Sequence, residues 1–165
     1  MLRLTLAILL ATSAACSGSS STPWPDKPLV KTTADIGPYK VSLLLPKGVG
    51  SYVDPNGVIW RDVSPRYAFF IKVFKDEHPA SLAKAIEDQG LEGGQKVVIK
   101  NKLTDGYEVV VEEPDNKRYT VHVWRKRGER SISCGGILGR DIGNASMVDK
   151  SNKWLLKICR SMTIL

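Results

Sequence analysis

Three cysteines, two histidines and a run of arginines are the residues in this 165-residue sequence whose types could do chemistry. The histidines are His78 and His122, and no HExxH or cysteine–histidine spacing joins them into a zinc site. On strand alternation His122 shares a face with Thr120 and Trp124, as an ordinary sheet residue would. No GxSxG segment offers an activated serine at a strand-to-helix turn. The run Cys134-Gly135-Gly136-Ile137-Leu138-Gly139 lacks both the GxGxxG spacing and a P-loop lysine, so it reads as a turn. Glu112 and Glu113 are adjacent, and neighbours on a strand point to opposite faces, which does not suit a pair of glycosidase carboxylates. The expectation is a protein that is not an enzyme and carries no cofactor.

The basic residues have more to say. Arg125, Lys126, Arg127 and Arg130 surround a turn, and Lys117 and Arg118 stand at the other end of the same strand. With Tyr119 and Trp124 interleaved, such a surface suits an anionic partner. Two readings stay open: a solvated hairpin tip, or a site for an anionic envelope ligand or acidic protein.

The compartment is read from the first sixteen residues. Arg3 gives a minimal positive region, residues 4–11 are apolar but too short to span a bilayer, and small residues lead to Cys16. The segment resembles a lipobox, in which the cysteine thiol receives diacylglycerol before cleavage. Ser13 departs from it by standing where a branched aliphatic residue is usual. Ordinary cleavage after Ala15 would instead leave a soluble periplasmic protein. The anchored reading gives residues 1–15 as signal peptide and residues 16–35 as lipidated cysteine and flexible linker, because residues 17–28 are serine- and proline-rich without apolar period. Trp24 there is either a loose linker residue or an interfacial contact. Ser17, not an aspartate, follows Cys16, and by the sorting rule of enteric lipoproteins this resembles delivery to the outer membrane, facing the periplasm. Export argues against nucleic acid as a partner.

With Cys16 lipidated, Cys134 and Cys159 are an even pair in an oxidising compartment and should form a disulfide. The net charge of +7 falls to +6 once Arg3 leaves with the leader, because 23 basic residues then face 17 acidic ones. That balance fits anionic lipid, peptidoglycan or simple solubility.

These sites need elements to position them, and the pattern is strand-rich. Residues 39–46 alternate with a period of two, residues 51–53 and 58–62 flank the turn residues 54–57, and residues 68–74 are apolar on both faces except at Lys72. Pro79 suits a helix start and Gly90 a helix end, with Leu82, Ala83 and Ile86 between them as a stripe. Residues 95–101 and 107–112 form a hairpin through Asp105 and Gly106, and residues 118–125 and 130–134 continue the meander. Trp154, Leu155, Ile158, Cys159 and Met162 share one face of a closing helix over residues 149–162. The fold class is α+β, an antiparallel β-sheet flanked by an internal helix and a C-terminal helix.

On the segments YKVSLLLP, DPNG, PASLAKAIEDQG, DGYEVVVEE, YTVHVWRKRGERSISC and NKWLLKICRSM, in that order, the chain resembles a bacterial lipoprotein with a PsbP-like domain over residues 36–165. The resemblance lies in element order and transfers no functional residue. It implies an envelope lipoprotein with a non-catalytic binding or assembly role, held to the membrane through its N-terminal lipid. The alternative is an inhibitor or immunity protein against a cell-wall enzyme or toxin.

Overall fold

The computed structural model describes residues 26–63, 68–115, 117–138 and 145–165. The leader, Cys16, Trp24 and Gly139 lie outside the described residues. Among these described residues ten strands and two helices follow in the order β1 Leu29–Ile36, β2 Tyr39–Pro46, β3 Gly50–Asp54, β4 Gly57–Val63, β5 Ala68–Lys75, α1 Leu82–Glu87, β6 Lys96–Leu103, β7 Gly106–Glu112, β8 Tyr119–Arg127, β9 Arg130–Leu138, α2 Ala145–Arg160 and β10 Thr163–Ile164.

They form two antiparallel sheets, a small one ordered β1-β2-β10 and a seven-stranded one ordered β3-β4-β5-β9-β8-β7-β6. The class is α+β. Within the large sheet, period-two alternation sends Val58, Trp60, Ile71, Val73, Val110, Val121, Val123, Ile132 and Cys134 to one face. There they meet the apolar stripe of α2 and Val41, Leu43 and Leu45 of β2, closing the main core.

The opposite face is only partly covered. The six residues of α1 lay Ala85, Leu82 and Ile86 over Val109, Val111 and Trp124, a second and smaller core on the β7–β8 side. No described element lies over β4 and β5 on this face. Phe70 is consequently half-buried and Lys72 exposed, so β5 is covered on one face rather than the two its apolar run implied.

Several boundaries differ from the sequence reading for identifiable reasons. Residues 29–35, taken as linker, pair along their length with β2. Their threonine-rich pattern has little apolar period because β1 is an edge strand touching the core mainly through Leu29, Ala34 and Ile36. The helix expected from Pro79 starts after Ser81, whose Oγ accepts the Lys84 N–H at 3.1 Å as an N-cap. Helix α2 begins at Ala145, before the expected residue 149. Cys134, Gly135 and Gly136 are not a turn but the middle of β9. At the two-residue tips before Gly57 and Gly106 the glycines are set by crowding, not by positive φ. A Cβ would stand 2.3 Å from the Val73 carbonyl oxygen in one case and 1.8 Å from that of Trp124 in the other.

Candidate functional site

The basic hairpin is largely occupied with the chain's own C-terminus. Arg125 forms an ion pair with Asp105 and donates from Nη2 to the Arg160 carbonyl at 3.1 Å. Arg127 Nη1 donates to the Ile164 carbonyl at 2.8 Å, and Arg130 Nη1 to Leu165 O at 3.2 Å. The Arg130 guanidinium also lies 5.9 Å from the Tyr39 ring centre. Three arginines thus latch the end of α2 and β10 to the β8–β9 hairpin. Lys126 stands apart from them, lining a cavity of about 360 Å³ with His78, Lys102, Asp105 and Tyr107.

Lys117 and Arg118 serve the opposite end of β8, on the order of 25 Å away along a nine-residue strand. Lys117 adopts φ 53°, and its carbonyl accepts from Asn152 Nδ2 at 2.8 Å. The Asn152 amide oxygen takes the Tyr119 N–H at 3.0 Å, tying α2 to the start of β8. The six basic residues therefore do not converge on one patch.

Each histidine has its own neighbours. His78 donates from Nδ1 to the Pro79 carbonyl at 3.0 Å, and its ring lies 5.1 Å from that of Tyr107. His122, half-buried, stacks on Trp124 with ring centres 5.7 Å apart. Burial pushes the His122 imidazole below its ordinary pKa, against the upward pull of Asp76. Asp76 in turn accepts from Trp124 Nε1 at 3.3 Å. Among the described residues no three His, Cys, Asp or Glu side chains gather as a metal site would require.

Cys134 and Cys159 form a disulfide between the middle of β9 and the last turn of α2, with both residues fully buried. Near it stands a pair the sequence reading did not single out. Glu108 is 1 % exposed, and its carboxylate is gripped by Arg160 through Nε at 2.7 Å and Nη2 at 3.2 Å, with Asn101 Nδ2 at 2.9 Å. The available signal was a charged residue at an inward position of the strand Tyr107–Val111, tolerable only with a charge-bearing partner, here Arg160, whose own side chain stays half exposed.

Among the described residues, the face of β3, β4, β5 and β9 away from the main core is left uncovered. Tyr52, Ile59, Arg61, Phe70 and Lys72 line a depression of about 290 Å³ there. Register places Ile59 opposite Lys72 and Arg61 opposite Phe70, so cations and apolar groups alternate diagonally across the two strands. Tyr52 is 59 % exposed at one side and Ile137, opposite Phe70, is 45 % exposed at the other. Gly135 pairs with both Lys72 and His122, and its missing side chain leaves a trough between them. Contiguous exposed apolar groups are the usual mark of an interaction surface. The two cations fix the sign of what fits. Sequence reasoning missed this face because its residues come from four strands and no short segment contains them.

Neither a scan against protein-family models nor a search of curated proteins finds a match to this chain.

Proposed function

We propose that this chain is an envelope lipoprotein with a non-catalytic binding role, anchored through Cys16 at the outer membrane facing the periplasm. Its folded body is a variant of the PsbP-like architecture. The ordered strands and closing helix support that reading, as does a disulfide of the kind that persists in oxidising compartments. The ligand is an anionic amphiphile, a phosphate or carboxylate joined to an apolar body.

The observation that carries the ligand class is the setting of Arg61 and Lys72 over a floor of Tyr52, Ile59 and Phe70. Among the described residues neither cation has an acidic partner, and no acid lines the depression. An anion there would gain charge-assisted hydrogen bonds, and its apolar part would displace water from the aromatic floor. In the basic hairpin Arg125, Arg127 and Arg130 each give one donor to a carbonyl of residues 160–165, so part of its charge serves the fold, while Lys126, Arg127 and Arg130 remain exposed.

The test uses the full chain held in phosphatidylcholine nanodiscs and titrated with dioctanoyl phosphatidic acid or with decanoate, followed by amide chemical shifts. Shifts should centre on residues 52, 59, 61, 70 and 72, and Arg61→Ala with Lys72→Ala should weaken binding at least ~10-fold. Equal binding of uncharged dioctanoylglycerol would overturn the ligand class. Mass spectrometry of the mature N-terminus tests the anchor, and an unmodified residue there would remove it.

A further inference from the structure

The two edges of the large sheet are built differently. At one edge β6 carries Lys96, Lys100 and Lys102 and breaks register between Val97 and Ile99, both common devices for blocking further strand pairing. At the other edge β3, GSYVD, has no lysine and no bulge among its five paired residues. It shows Tyr52 on one face at 59 % exposure and Val53 on the other at 71 %. Among the described residues no strand pairs with its outer side.

We infer that β3 is the interface for a second copy of this chain, joined by antiparallel pairing across a two-fold axis at Tyr52. That register sets the two Tyr52 rings side by side, Ser51 against Val53, and Gly50 against Asp54 of the second copy. The charge pattern selects this occupant. Arg61 of β4 lies directly across from Gly50, which has open space where a side chain would be. Gly50, Tyr52 and Asp54 share the uncovered face with Arg61. Pairing therefore leaves Arg61 two strand spacings, about 9.6 Å, from Asp54 of the second copy, with only a glycine between them. An extended arginine spans that gap, and the symmetry forms the contact twice. Pro55, which has no N–H, ends the ladder beyond Asp54.

The contact is small, so association is weak in dilute solution and promoted where copies are concentrated on one surface. The result is a continuous sheet with two depressions on one side. Tyr52 and Arg61 border both the seam and the depression, so the pairing is tested with no amphiphile added.

The experiment is carried out on the full chain at high concentration in detergent, which does not depend on the proposed anchor, and on the same chain in nanodiscs that hold two copies. Tyr52→Cys should cross-link to itself on mild oxidation, because directly opposed residues in an antiparallel pair have Cα atoms about 4.5–5.5 Å apart, within disulfide reach. Val98→Cys, on the lysine-bearing edge, should not. Peptide mass spectrometry distinguishes the Tyr52→Cys link from one through Cys16. In sedimentation of the detergent-solubilised protein, Asp54→Arg and Arg61→Asp should each weaken association at least ~5-fold, and the two together should restore it to within ~2-fold. Absence of the Tyr52→Cys link, equal linking through Val98→Cys, or failure of the double swap to restore association would overturn the inference. Capture of a different protein's strand by β3, with no self-link, would overturn it as well.

Discussion

Arg160, in the last turn of α2, holds Glu108 of β7 by two N–H···O bonds of 2.7 and 3.2 Å, and Glu108 is the one acid buried in the described core. The arrangement makes the position of α2 depend on a charge that cannot be left alone. Arg160→Met keeps the aliphatic stem but strands the carboxylate with Asn101 as its remaining partner, and should cost about 2–4 kcal/mol. Replacing both residues, Glu108→Leu with Arg160→Met, should recover most of the loss. Urea midpoints of the three proteins check this, and equal destabilisation by the single and double changes would contradict it.

The Cys134–Cys159 disulfide closes a loop of 25 residues across the same helix. In the chain-entropy model that constraint contributes about 3.5 kcal/mol, so Cys134→Ala with Cys159→Ala should lower the unfolding midpoint markedly. The denatured but unreduced protein should show no free thiol from the folded domain in a thiol titration. Two titratable groups from residues 134 and 159 would refute the bond.

Gly136 lies beneath α2, where a Cβ would sit 2.4 Å from Leu155 Cδ1 and 2.8 Å from Cγ. Gly136→Ala should therefore push the helix outward at a cost of about 1–3 kcal/mol. In a Leu155→Ala background the same change should cost far less, because the opposing branch is gone. Additive losses in a thermal unfolding series would show that the clash is relieved elsewhere.

The hairpin arginines give a prediction that separates stability from binding. Arg127→Ala removes the donor to the Ile164 carbonyl and should cost about 1 kcal/mol. It should also speed hydrogen exchange at residues 163–165 while leaving anion affinity unchanged. Loss of affinity without faster exchange would return the binding role to the basic hairpin.

His122 introduces a pH dependence whose sign follows from its burial. Its pKa is lowered in the fold from the ordinary 6.5, so the unfolded chain binds the proton more readily. The stability contributed by the neutral imidazole is present above about 6.5 and is lost as pH falls from there through the folded value. His122→Gln should flatten the stability profile on the acid side of pH 6.5, relative to the parent. Identical slopes in denaturant series across that range would remove His122 from the account.

Local pattern was enough for much of the fold. The alternation of YKVSLLLP gave a strand because a half-buried strand has no other period, and Trp154, Leu155, Ile158 and Cys159 share a face on any helix. Once those periods are granted, Cys159 turns inward, and on the lipidated reading of Cys16 its expected partner is Cys134, the bond the structure has. The strand Leu29–Ile36 was not legible because it is held by backbone pairing with β2, a bond pattern that composition does not record.

The α+β class and the order of most elements were written in residues close together in the chain, while the disulfide became certain only when the fold brought Cys134 of β9 against Cys159 of α2. Tertiary structure alone decided the rest. It distributed Arg125, Arg127 and Arg130 onto the C-terminal carbonyls, because those acceptors arrive from residues 35 or more positions away. It buried Glu108 against a partner 52 residues distant. It also assembled Tyr52, Arg61, Phe70, Lys72 and Ile137 on a face that no described element covers, because α1 is too short to reach across the whole sheet. Strand order and the reach of one helix are properties of packing, and no window of sequence contains them.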